Sequence, residues 1–218
     1  GEDYQVYSFS QSGEFPAAPI VFAGWGIVAP ASSEETAFDS YRDLDVKGKW
    51  VAFFADAPKP AQREFKKHMH IMSFARLQHK VAVAKTKGAV GVIVIEDAAV
   101  GPLRFEGSLA DQTIPIVKIS MPVFTKLVEA QKELKKSAKV LRAEFESYEH
   151  VAGFNLVSQY FSAKVGLEYI RSAGHNLLAR LEPVRSSDQK NPALLIGAHG
   201  DHLGRGEQGS SLATGEQK

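Results

Sequence analysis

Two histidines and an aspartate stand close together near the end of the sequence, in ALLIGAHGDHLGRGEQGS, residues 193–210. His199 and Asp201 are two apart, and in an extended segment such residues point to the same side. A histidine that binds zinc through one ring nitrogen commonly donates the other to a carboxylate, which fixes the tautomer and orients the ring. The spacing therefore permits His199 as a metal ligand with Asp201 as its orienting partner, while His202 points the other way. His-x-Asp-His is nevertheless a short pattern, and polar residues at a strand end are ordinary, so the pattern alone leaves a plain strand end open. A zinc centre takes three or four protein ligands, and a two-metal centre needs a bridging carboxylate and a general base besides. After Asp201 the sequence offers only His202, Glu207 and Glu216.

Other chemistry-bearing groups are weaker. Gly204 to Gly209 reads GRGEQG and matches G-x-G-x-x-G by letter. A dinucleotide fingerprint must follow a strand, open a helix and lead to a second strand with an acidic end. SSLATGEQK provides neither helix stripe nor strand, so this is read as a loop. His68, His70 and His79 do not share one helix face, and exposed histidines at a helix start are expected there. There is no cysteine, which excludes disulfides and thiolate metal sites and leaves His, Asp and Glu as the only metal donors.

The elements that must position such a site follow from composition and pattern. With 218 residues and 44% hydrophobic content, the chain has material for one large domain or somewhat more. Lys and Arg number 26 against 25 Asp and Glu. A nucleic-acid or anionic-membrane partner would need a basic excess gathered on one face. The densest basic stretch, 126–139, also carries Glu129 and Glu133 and reads as a solvated helix face. No apolar run is long enough for a membrane span. The opening Gly-Glu-Asp-Tyr, without a methionine, suggests a processed chain.

Residues 1–19 read as a polar, turn-rich segment. IVFAGWGIVAP, 20–30, reads as a buried strand with a bend at Gly24 and Gly26. Residues 32–49 are expected to form a loop or short helix ending in a Lys47-Gly48-Lys49 turn, and 50–58 another strand. Ile71, Phe74, Leu77, Val81 and Ala84 form one stripe, which predicts a single helix over 71–87 stopped at Gly88. A β-branched strand over 89–97 completes a βαβ unit. A strand over 114–120 and a helix over 121–136 follow. AKVLRAEFESYEH, 138–150, alternates and predicts a half-exposed antiparallel strand. Further strands are expected at 164–172, 175–183 and 193–199.

Beyond these readings, NLLARLEP…NPALLIGAHGDHLG resembles the opening of the catalytic domain in M28-family zinc aminopeptidases, from Asn176 and Gly197 through Gly204. Upstream, VFAGWGIVAP, AFDSYRDLDVKGKWVAFF, AKTKGAVGVIVIED and IPIVKIS resemble a protease-associated (PA) domain, which precedes the metal motif in part of that family. The resemblance implies a mixed α/β (α+β) chain. A PA-type, β-rich domain with flanking helices at 20–150 would follow an N-terminal segment at 1–19. A linker and the first strands of a zinc-exopeptidase sheet would occupy 151–218. It implies two zinc ions in the complete enzyme, with His199 as ligand and Asp201 as orienter, peptide substrates, and a secreted or periplasmic location. The family's bridging Asp, its Glu pair and its final histidine have no match in this sequence, so the chain is expected to be inactive by itself and to retain no zinc. The alternative is a non-catalytic PA module that binds substrate or partner. In that reading the 103–111 loop, with Arg104 and Glu106, is either a substrate lid or a plain connection.

Overall fold

The computed structural model describes residues 3–59, 65–97, 114–146, 153–168, 177–181 and 196–198. It divides into two compact units, Gly1–Leu167 and Glu168–Lys218. The first unit is mixed α/β. Strands β1 (Tyr4–Val6), β2 (Gly13–Phe22), β5 (Trp50–Phe54), β6 (Gly91–Glu96), β7 (Ile116–Ser120) and β8 (Phe154–Val165) form one sheet in the order β1-β7-β6-β5-β2-β8. β3 (Val28–Ala29) and β4 (Phe38–Asp39) make a small hairpin. β2, β5, β6 and β7 run parallel, and the outer strands β1 and β8 pair antiparallel with β7 and β2.

The continuous apolar runs of the central strands are explained by cover on both faces. Trp50, Ala52, Phe54, Ile93 and Ile95 point into one core, and Val51, Phe53, Val92 and Val94 into the other. Helices α3 (Met121–Glu129) and α4 (Ala138–Phe145) supply Phe124, Val128, Leu141 and Phe145 to the first core. Helix α2 (Leu77–Thr86) supplies Val81 and Ala84 to the second.

The single helix expected over 71–87 is two helices, α1 (Phe65–Met72) and α2, separated at 73–76. The reason lies in the stripe. Ile71 packs with the first core and Phe74 lies against it, whereas Leu77 and Val81 belong to the second. One straight helix cannot cover opposite faces of a sheet. Phe74 and Ala75 close tight turns onto the carbonyls of Ile71 and Met72, and Arg76 is extended, with ψ 135°.

The expected stop at Gly88 is present in full. Gly88 has φ +89°, its N–H bonds the Lys85 carbonyl, and the Ala89 N–H bonds the Ala84 carbonyl. That pairing is the Schellman motif, the common glycine-ended helix cap. Gly88→Ala is expected to destabilise by about 1 kcal/mol or somewhat more, because φ is left-handed. A Cβ there would also meet the Lys47 side chain at 3.3 Å. Urea unfolding measures it, and an unchanged midpoint would show that the cap contributes nothing.

Residues 138–145 are helix α4, not the antiparallel strand that alternation suggested. Ala138, Leu141 and Phe145 are its buried positions, a three-and-four spacing that the alternating reading overlooked. Ser137 caps it by accepting the Val140 N–H. The helix expected over 121–136 ends at Glu129, where the chain enters turns, with Lys135 at φ +49°. β1 and the first seven of the ten residues of β2 lie in the stretch read as a turn-rich segment, and most of β8 lies in a stretch with no clear pattern. Among the described residues of the last three expected strands, only 164–165 at the start of the first are strand, within β8, and the rest of those expectations lie outside the described residues. Residues 166–168, 177–181 and 196–198 carry no strand. Leu177, Leu178, Leu181 and Ile196 are almost fully exposed, with no pairing partner among the described residues.

Candidate functional site

His199, Asp201, Arg104 and Glu106 lie outside the described residues, as do His202 and the glycines after it. His68, His70 and His79 are described. They are half-buried rather than exposed. His70 Nε2 lies 2.7 Å from the Pro30 carbonyl oxygen, and the rings of His70 and His79 both contact Phe74. Among the described residues no group of three or more His, Asp or Glu is placed to hold a metal.

What the fold does gather is a charged cluster at the carboxyl ends of β5 and β6, where ligands of open α/β sheets usually sit. Two helices on opposite faces each send one cation to this edge. From α2, Lys80 is fully buried. Its Nζ donates to the carbonyls of Phe54 at 3.1 Å, of Ala55 at 2.9 Å, and of Asp56. An ammonium carries three donors, so every one is used, and the chain leaving β5 is folded around the nitrogen. Burial brings the Lys80 ammonium down to about 7, against the pull of Asp56, which favours the charged form, and helped by Arg142, which opposes it.

From α4, Arg142 lies over Trp25 and Phe54, its Cζ 4.4 Å from each ring centroid. Its Nη2 reaches Asp56 at 3.3 Å and Asp97 at 3.2 Å, and its Nε reaches Glu146 at 3.3 Å. Glu146 in turn accepts the Lys59 backbone N–H at 2.7 Å. The guanidinium is 15% exposed, but its carboxylates range from 31% to 57%, so solvent screens each pair. Trp25, whose indole donates to the Phe145 carbonyl, holds the stacking platform. Gly24 turns the chain toward it at φ +56°, and a Cβ there would strike the Phe145 ring at 2.4 Å.

Chemically, this cluster braces. The Lys80 ammonium is saturated, Arg142 spends its Nε and Nη2 on carboxylates, no nucleophile stands beside a base, and the two segments leaving β5 and β6 are tied to α2 and α4. A groove of about 280 Å³ opens beside it, lined by Ala55, Asp56, Lys59, His68 and Met72 among others. Sequence reading missed Arg142 as a bridging residue because it stood on the exposed side of a supposed strand. The signal was the Arg142/Glu146 spacing of four, which pairs only on a helix.

A family model for the PA domain matches residues 17–127, the range that runs from within β2 through most of α3. No curated protein matches the chain. Among solved structures, an aminopeptidase from Aneurinibacillus sp. strain AM-1 is similar over 62% of this chain and 26% of its own, at 16% identity and a TM-score of 0.39. The chain thus spans about a quarter of that protein. The PA match covers half of the chain and takes in β5, β6 and β7 with most of β2, the crossover helix α2 and the glycine bend: the chain belongs to the PA domain family.

Proposed function

We propose that this chain is the accessory PA module and the opening catalytic segment of a cocatalytic two-zinc aminopeptidase, which hydrolyses N-terminal residues from peptides. The observation that carries the reading is the GAHGDHLG run, 197–204, with His199 as zinc ligand and Asp201 as the carboxylate that orients it. Two metals in such a centre lower the pKa of a shared water and polarise the scissile carbonyl. The donor set of residues 1–218 does not fit that centre by itself. One histidine and its orienter fall short of three or four ligands, and the described residues add no cluster of metal donors. No catalytic step is therefore assigned to this chain. Zinc and the peptidase chemistry belong to the complete enzyme, as does a secreted or periplasmic location.

Elemental analysis after dialysis is expected to find no bound zinc in residues 1–218 and none in His199→Ala, with no hydrolysis of aminoacyl anilides by either. A longer gene product should bind zinc and lose it on the same substitution. Stoichiometric zinc in the short chain, lost in His199→Ala, would overturn the view of it as a non-catalytic piece.

A second reading is favoured by the family match itself, which covers the parallel centre of the sheet and none of the metal motif. In that reading the PA region binds or positions peptide partners. The 103–111 loop, with Arg104 and Glu106, is its proposed lid, and deletion of that loop from the complete enzyme should then raise KM for longer peptides.

A further inference from the structure

Gln131 stands just beyond α3, and its side-chain amide faces the outer edge of β8. Its Nε2 donates to the Val157 carbonyl at 3.2 Å, and its Oε1 accepts the Val157 N–H at 2.8 Å. A primary amide that gives and takes one hydrogen bond with the same residue reproduces what a neighbouring strand gives in a β-ladder. β8 has need of such a neighbour. Among the described residues its twelve positions pair with β2 alone, at the end of the sheet. It carries no proline and one charge, Lys164, so among the usual protections of an edge it keeps the bulge against β2 beside Val157, with Ser158 at φ +58°. Val157 and Tyr160 are 65% and 66% exposed. A groove of about 410 Å³ lies alongside, lined by Gln131, Leu134, Phe154, Asn155 and Val157 among others.

We propose that the outer edge of β8 is a docking site for an extended peptide segment of a partner protein, added as a further strand, and that Gln131 is the internal placeholder which the peptide backbone displaces at Val157. The occupant follows from the placeholder: a group satisfied by a carboxamide is satisfied by a peptide amide in the same way. Recognition would rest on main-chain hydrogen bonds, with one apolar side chain of the peptide entering the groove between Leu134 and Phe154. A short helix or an anion would leave the Val157 N–H and C=O only half paired. The inference deepens the binding-module reading and rests on it, while it needs no zinc and no catalytic residue.

The test uses the full chain and a fluorescent seven-residue probe, acetylated and amidated, of alternating threonine and valine with a central leucine. In amide NMR spectra the probe should shift the Val157 backbone and Gln131 side-chain signals. Gln131→Ala removes the competitor and should bind the probe about five- to tenfold more tightly, as two modest hydrogen bonds are no longer exchanged. Methylation of the probe's backbone nitrogens should abolish binding by both proteins, without any change in the protein's own fold. Equal or weaker binding by Gln131→Ala, or equal binding of the methylated probe, would overturn the placeholder role. Probe binding that leaves Val157 unmoved would place the peptide site elsewhere and keep the module reading. Failure of both proteins to bind at millimolar probe would remove both. If Gln131→Ala instead dimerises in sedimentation, the edge belongs to a second copy of this chain, and the proposal falls.

Discussion

Phe22→Ala is expected to remove about 3–5 kcal/mol of unfolding free energy, the largest loss for any single aromatic position in the sheet. Phe22 is fully buried, and its ring lies 4.9 to 5.3 Å, centroid to centroid, from those of Phe54, Phe124, Phe145 and Phe154. Those four rings come from β5, α3, α4 and β8. Truncation leaves a cavity bordered by four separate elements, and rings fixed by their own strands and helices cannot close it. Edge-to-face pairs add to the loss beyond their buried area. Phe54 is also the platform under Arg142, so the cavity reaches the charged cluster. Since a domain of this kind holds only about 5–15 kcal/mol in total, Phe22→Ala should leave a measurable unfolded fraction in dilute buffer. Urea titration followed by tryptophan fluorescence reads this directly. A loss below about 1.5 kcal/mol would mean that the helices shift inward freely and that α3 and α4 are not anchored through this ring.

Much of this core was legible because it obeys one rule. The runs at 50–54 and 92–95 are apolar at every position, which only a strand covered on both faces requires, and the glycine at 88 ends a helix whose last turn carries lysines. The failures have a common cause, which is that a period was read without its partner. The apolar stripe from Ile71 to Ala84 is real, but its two halves serve opposite faces of the sheet, and no sequence pattern records which face is meant. In 138–145 a run of eight residues satisfied period two as well as the three-and-four spacing, and α4 won because Ser137 caps it and Leu141 and Phe145 reach a core there. β8 was obscure because it is an edge strand, bulged against β2 near Ser158, which has φ +58°. The candidate site divides in the same way. His199 and Asp201 announce themselves by residue type and resemblance. Lys80 and Arg142 act through burial and through carbonyls, which the letters of a sequence do not show.

Lys80→Met is expected to cost about 2–4 kcal/mol near pH 9 and less near pH 6, and that difference isolates what the lysine does. Methionine fills a similar volume but offers no donor to the carbonyls of Phe54, Ala55 and Asp56, which the ammonium satisfies with three N–H groups and the neutral amine, above about pH 7, with two. Set against this is relief of the cost of burying a charge. In the folded chain the ammonium is lowered from an ordinary value of 10.5 to about 7. Between those values the unfolded chain binds the additional proton, so stability must rise with pH across that window. The slope is at most about 1.4 kcal/mol per pH unit. At the upper end a second group takes over. Tyr41 is buried beside Asp39, which raises its phenol well above the ordinary value of 10. The unfolded chain loses that proton first, so above about pH 10 the term turns against folding. The wild type should therefore gain stability from pH 7 to about 10 and lose it beyond, while Lys80→Met stays level over the first interval and shares the second. Urea midpoints at pH 6.5, 8, 9.5 and 10.5 for the two proteins test the whole curve. A wild-type profile as level as the variant's would mean that the three carbonyls hold the ammonium charged throughout, and the knot at the end of β5 would then be a fixed cation rather than a group that changes its charge.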